Sequence, residues 1–158
     1  ARCAWALFPG DGRGDLLVFA LCARGVGVGE LPDLLGSLAF RASERDTILD
    51  VVGRGDQTAR ALTDAKLPSE IVGALGEAGP ELVALAGALG PEVPALRWLK
   101  SLRHVRLEID GADLVGAGIS PGPAIGRGLR AALAAKLDGL ASGRDEELAH
   151  ALRATRGR

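Results

Sequence analysis

At 158 residues the chain is long enough to bury a core, and a formal net charge of −1 argues against indiscriminate polyanion binding over its whole surface. Hydrophobic residues make up 47% and charged residues 25%, a globular balance that excludes a disordered or collagen-like chain. The longest apolar run, residues 16–23, stops at Arg24, far short of the roughly 20 residues that span a bilayer, so no membrane partner is expected.

The charge is unevenly spread. Residues 1–96 hold 8 Lys and Arg against 13 Asp and Glu, whereas residues 97–158 hold 11 against 7. A basic last third can meet a phosphate backbone, although scattered surface charge gives the same count. Cys3 and Cys22 lack a metal-ligand spacing and are expected as small core thiols in a reducing compartment. No leader with a cleavage site is recognisable, and a cytoplasmic location is expected. The chain has no initiating Met, and Ala1 leads directly into an apolar run, as in the interior of a longer protein.

In chain order, a first helix is predicted up to Phe8, where Pro9-Gly10-Asp11-Gly12 stops it. A second covers residues 15–24, and Gly25, Gly27 and Gly29 break the pattern. A third covers residues 31–40, with Pro32 in its first turn. Ser43 reads as an N-cap with Asp46 three residues on, opening a helix that carries Ile48, Leu49, Val51 and Val52 to a core. A separate helix is expected over residues 57–64. Ser69 reads as the cap of residues 70–75, and Pro80 opens an apolar helix over residues 81–89. Pro94 opens the next, with Leu96, Leu99 and Leu102 on one face. No alternating pattern appears, and residues 106–109 are too few to build a sheet. The expected fold is all-α: an array of short helices forming a body over residues 1–108, then a helix–hairpin–helix-like tail over residues 109–158.

The stretch from Ile109 carries the most information. Asp110 or Gly111 caps a short helix that ends at Gly118, a suitable left-handed C-terminal residue. Ser120-Pro121-Gly122 makes a tight turn, and Pro123 starts a long helix at its first position. In that helix Ile125, Leu129, Ala132, Leu133, Leu137 and Leu140 recur at helical spacing and are expected to face the core. Arg127 and Arg130 fall opposite, close to a helix start whose free amides carry partial positive charge. Gly118, Ser120, Gly122, Gly126, Arg127 and Arg130 therefore compose a candidate phosphate cradle. The alternative is a purely structural corner.

The order Asp113-Leu114, Gly118-Ile119, Pro121-Gly122-Pro123, Ile125-Gly126, Leu129 and Leu137-Asp138-Gly139 resembles the C-terminal region of bacterial tRNA nucleotidyltransferases. These are the CCA-adding, A-adding and poly(A) polymerase-like enzymes. Arg144-Asp145-Glu146-Glu147-Leu148 is similar to the charged final helix that follows that motif in the family. Residues 38–49 and Leu67-Pro68-Ser69-Glu70-Ile71 resemble its helical body less specifically. The resemblance is close over residues 109–150, and weaker but ordered over residues 1–108. It implies helices that hold the tRNA elbow and acceptor stem while a separate head adds nucleotides. The implied partners are tRNA and the catalytic head of the same polypeptide.

Two departures from the family shape that expectation. Its Gly-rich strand-and-turn with paired Mg²⁺-binding carboxylates has no match here, and neither have the nucleotide-selecting Arg and Asp of its neck. No catalytic or metal-ligating residue is assigned. No cofactor is expected in this chain, Mg²⁺ and ATP or CTP belonging to the absent head, and the chain alone is not expected to transfer nucleotides.

Other candidates have simpler readings. Asp110 and Asp113 lack a third carboxylate and read as helix-start residues rather than metal ligands. His104 and His150 stand alone and read as surface or helix-end residues. Arg13-Gly14-Asp15 and Arg54-Gly55-Asp56 resemble an adhesion tripeptide but read as chance loop sequence. Trp5 and Trp98 have apolar neighbours and read as packing residues. Two rival functions remain: a helix–hairpin–helix DNA-binding module, and a scaffold whose Ala/Leu helices dock on a protein partner.

Overall fold

The computed structural model describes residues 4–27 and 29–156. Among them lie ten α-helices and no strand. These are α1 Ala4–Leu7, α2 Gly14–Ala23, α3 Leu31–Ser37, α4 Ala42–Asp64, α5 Pro68–Leu75, α6 Pro80–Ala88, α7 Glu92–Lys100, α8 Gly111–Gly116, α9 Pro123–Leu137 and α10 Arg144–Arg156. A 3-10 turn, Leu102–His104, follows α7. Contacts divide the chain into two compact units. One holds Ala1–Ala65 with Gly73–Arg103, the other Lys66–Val72 with His104–Arg158. All five aromatic residues, Trp5, Phe8, Phe19, Phe40 and Trp98, belong to the first unit.

The first unit is organised around α6. This helix is apolar around nearly its whole circumference, and such a helix belongs inside. Residues from Glu81 to Gly87 are all buried, with α1, α2, α4 and α7 packed against α6. Trp98 is buried on α7, and the Arg103 guanidinium lies 5.9 Å from its ring centroid, within cation–π range.

Several expected boundaries shift, each for a local reason. The two helices expected around residues 43–64 are one helix of 23 residues, α4. Its N-cap is Arg41, and Glu44 accepts the Arg41 N–H at 3.0 Å, so Ser43 lies inside the first turn. Gly53 and Gly55 do not break α4. Gly55 is buried, and a Cβ there would sit 2.7 Å from Leu85 Cδ2, so its missing side chain lets α4 approach α6. Arg54-Gly55-Asp56 is thus mid-helix, not loop. Helix α3 ends at Ser37 because Ala39 adopts φ 55, which no helix tolerates. Helix α7 opens two residues before Pro94, whose missing N–H is harmless in a first turn. Cys22 is exposed rather than in the core, while Cys3 and the Trp5 side chain lie outside what is described.

Gly53 and Gly55 make opposite predictions. A Cβ at Gly53 meets nothing within 4 Å, so Gly53→Ala is expected to stabilise α4 by about 0.5 to 1 kcal/mol. Gly55→Ala is expected to lose stability, because the overlap with Leu85 outweighs the same helix-propensity gain. Thermal melts of the two variants check this; shifts of the same sign refute it.

In the second unit α8, α9 and α10 enclose Ile109, Leu114, Ala132 and Ala151, with Leu107, Ile119, Ile125, Leu129 and Leu148 packed around them. Close approach of α9 to α10 rests on Gly128, where a Cβ would meet Leu114 Cδ2 at 2.7 Å, Thr155 Cγ2 at 3.0 Å and the Ala151 carbonyl oxygen at 3.1 Å. The start of α5 also belongs to this unit. Ser69 does not cap it: its N–H and hydroxyl donate to Asp138 at 2.9 and 2.6 Å. The free amides of Lys66 and Leu67 are taken instead by Glu70, at 2.7 and 3.0 Å.

Candidate nucleic-acid interface

The candidate corner is built from the end of α8, the loop after it and the start of α9. Asp110 caps α8, its Oδ1 accepting the N–H groups of Ala112 at 2.7 Å and Asp113 at 3.2 Å. Asp113 Oδ2 accepts the Asp110 N–H at 2.9 Å in return. Both carboxylates therefore do the capping work of a helix start. Among the described residues no group of three His, Cys, Asp or Glu is placed to hold a metal ion.

The end of α8 is fixed as firmly. Gly118 N–H donates to the Val115 carbonyl at 2.9 Å, and Ile119 N–H to the Leu114 carbonyl at 3.0 Å. With Gly118 at φ 90, this is the Schellman arrangement, in which a left-handed residue closes a helix and an apolar residue folds back beneath it. Ile119 is that residue and packs on the cluster around Leu114. The same pattern ends α9, where Gly139 N–H meets the Lys136 carbonyl and Leu140 N–H the Ala135 carbonyl. It corrects one expectation: the left-handed Gly139 takes Leu140 out of the helical register, and Leu140 is 68% exposed.

Between these stops the chain presents Ser120, Pro121, Gly122 and Pro123 to solvent. Gly122 is the N-cap of α9 and Pro123 its first residue; no side chain bonds the first-turn amides. Nor does that turn hold an acid, whereas α8 carries Asp113 and α10 carries Asp145, Glu146 and Glu147 at the matching positions. The dipole of α9 is thus left without an internal counter-charge. Arg127 and Arg130 are exposed, and among the described residues neither guanidinium makes a hydrogen bond or ion pair. The Arg130 guanidinium folds back over half-buried Gly126, with Nη1 3.6 Å from where a Cβ would stand. Gly118, Ser120, Gly122, Arg127 and Arg130 are all exposed, and Gly126 is half-buried beneath the Arg130 guanidinium.

Two further cations of the tail, Lys136 and Arg144, are engaged with acids, which sequence reasoning missed, while the Arg153 guanidinium donates to the Ala149 carbonyl. Lys136 Nζ lies 2.6 Å from Glu147 Oε1 and 3.4 Å from Glu108 Oε1. The Glu147 side chain is wholly buried, and its Oε2 accepts the Glu108 N–H at 2.7 Å. Burial pushes the Glu147 carboxyl up, but the Lys136 ammonium and the Glu108 amide outweigh it and hold it below its ordinary 4.5. The hydrogen bond to Glu147 raises Lys136 above its ordinary 10.5. Arg144 bonds Asp113 and the Glu108 carbonyl. A signal for the buried pair was present: Glu147 is four residues before buried Ala151, and Lys136 four after buried Ala132, so both fall on apolar stripes.

In the first unit, Arg13-Gly14-Asp15 is closed on itself. The Arg13 guanidinium bonds Asp15 at 2.7 and 2.9 Å and Glu44 at 3.0 Å, which holds the Asp15 carboxyl at about 2. A cavity of about 450 Å³ is lined by Asp46, Asp50, Glu77 and Glu81, a surface that repels phosphate. His104 is exposed at the 3-10 turn, and His150 is half-buried on α10. Compared with protein-family models, with curated proteins and with solved structures, the chain matches none.

Proposed function

We propose that this chain is the tRNA-gripping C-terminal portion of a tRNA nucleotidyltransferase, holding its substrate for a catalytic head elsewhere in the polypeptide. The observation that carries the reading is the corner from Gly118 to Arg130. It holds exposed backbone, a helix start without an acid and two exposed arginines with no acidic partner among the described residues, all within the segment whose motif order resembles that family. Phosphate oxygens are the ligand such donors suit, since they accept from amides and guanidinium groups alike. Its partners are tRNA and the head; Mg²⁺ and ATP or CTP act in the head. The location that follows is the cytoplasm.

The test is titration of tRNA with the chain over a series of salt concentrations. Arg127→Ala with Arg130→Ala is expected to weaken binding and lower the slope of log affinity against log salt by about 1 to 2, one counterion per lost phosphate contact. The denaturation midpoint should stay in place, because neither side chain is bonded to the fold. Equal affinity and equal slope for both proteins would sink the reading. A DNA duplex as competitor separates it from a helix–hairpin–helix grip on DNA, which employs the same phosphate chemistry.

A further inference from the structure

Arg144 is a cation that a count of charges assigns to RNA. It opens α10 in the basic last third, and its side chain is 57% exposed. The geometry points elsewhere: we propose that Arg144 is a positioning residue that aims the hairpin of residues 118–122 and touches no phosphate. The proposal rests on the tRNA-gripping reading of that corner.

Arg144 Nη1 donates to the Glu108 carbonyl at 3.1 Å, and Nη2 donates to Asp113 Oδ1. The other Asp113 oxygen accepts the Asp110 N–H, while Asp110 caps the next two amides. One planar fork thus joins the segment before α8, the first turn of α8 and the first turn of α10. Helix α8 has six residues, about 9 Å at the usual rise, and the hairpin hangs on its far end. Leu114, directly after Asp113, is wholly buried and anchors the same stretch of α8 to the core. A change of tilt at the Asp113 end therefore swings Gly118 and Ser120 at the other. Electrostatics argues the same way: a phosphate approaching Arg144 meets a guanidinium already bonded to the Asp113 carboxylate. Among the described residues no carboxylate is bonded to the guanidinium of Arg127 or of Arg130. Lysine keeps the charge of arginine but not its fork, so it reaches one of the two acceptors and cannot replace it.

The experiment is the same salt-series titration of tRNA, applied to Arg144→Ala, Arg144→Lys and Arg127→Ala, with amide hydrogen exchange on each protein. Arg144→Ala is expected to weaken binding about fivefold, the loss of one modest orienting interaction, with an unchanged salt slope. Arg144→Lys should not restore it, and exchange at Gly118 and Ile119 should quicken in both variants. Arg127→Ala should instead lower the slope by about 1 and leave exchange at those amides alone. A slope lowered by Arg144→Ala and restored by Arg144→Lys makes Arg144 a phosphate contact and overturns the proposal, with the tRNA reading intact. If the unaltered chain binds no tRNA, the functional reading fails, and hydrogen exchange still decides the positioning role. Unchanged exchange at Gly118 and Ile119 in Arg144→Ala overturns it.

Discussion

Glu147→Ala is expected to destabilise the second unit by about 3 kcal/mol, at the low end for breaking a buried ion pair. Three losses combine: the Lys136 partner, the acceptor for the Glu108 N–H, and the volume of a wholly buried side chain. The figure stays at the low end because Lys136 keeps 22% exposure and can turn to water. Urea denaturation followed by far-UV circular dichroism measures it, and tryptophan emission gives an internal reference, since both tryptophans belong to the first unit. An unchanged dichroism midpoint refutes the prediction. The pair also sets a pH window. The folded Glu147 carboxyl lies below its ordinary value, so its contribution is present above about pH 4.5 and is lost as pH falls through the folded value. The folded Lys136 ammonium lies above its ordinary value, so its contribution is complete below about pH 10.5 and is lost as pH rises beyond that.

Gly128→Val is expected to cost about 2 to 3 kcal/mol, towards the top of the overpacking range. A Cβ there meets a flexible Leu114 methyl, which can rotate away, but also the Ala151 carbonyl of α10, which cannot move without its helix. Valine adds two methyl groups to that contact and is stiff about its first side-chain bond in a helix. Gly128→Ala should cost less, since one methyl is partly offset by helix propensity of about 1 kcal/mol. Denaturation midpoints ranked wild type, alanine, valine are the expected result. A valine variant as stable as the wild type would mean that Gly128 does not set the spacing of α9 and α10.

Fold class and most helix positions were legible because Pro and Gly punctuate this chain at real boundaries: Pro80 and Pro123 at helix starts, Gly118 and Gly139 at helix ends. The misreadings arise where the same residue types serve packing. Arg54-Gly55-Asp56 looks like loop in sequence, yet burial of Gly55 against Leu85 carries α4 straight through. Ser43 and Ser69 look like caps, but Glu44 and Glu70 reach the free amides, and Ser69 is drawn to an aspartate 69 residues away. No local pattern encodes that contact. At the candidate corner, exposure of Arg127 and Arg130 followed from helical period alone. The assignment of Arg144 to Asp113 did not, because charge counts record how many cations exist and not which are already neutralised.

The confinement of every Phe and Trp to the first unit bears on how the candidate corner discriminates. Stacking on a ring is a chief way for a protein surface to distinguish one unpaired base from another, and residues 118–130 hold no aromatic ring, the second unit having only the imidazoles of His104 and His150. A polyanion gripped there is held by oxygens that every nucleotide carries alike. Such a surface is blind to base identity and sensitive to the spacing of phosphates along a backbone.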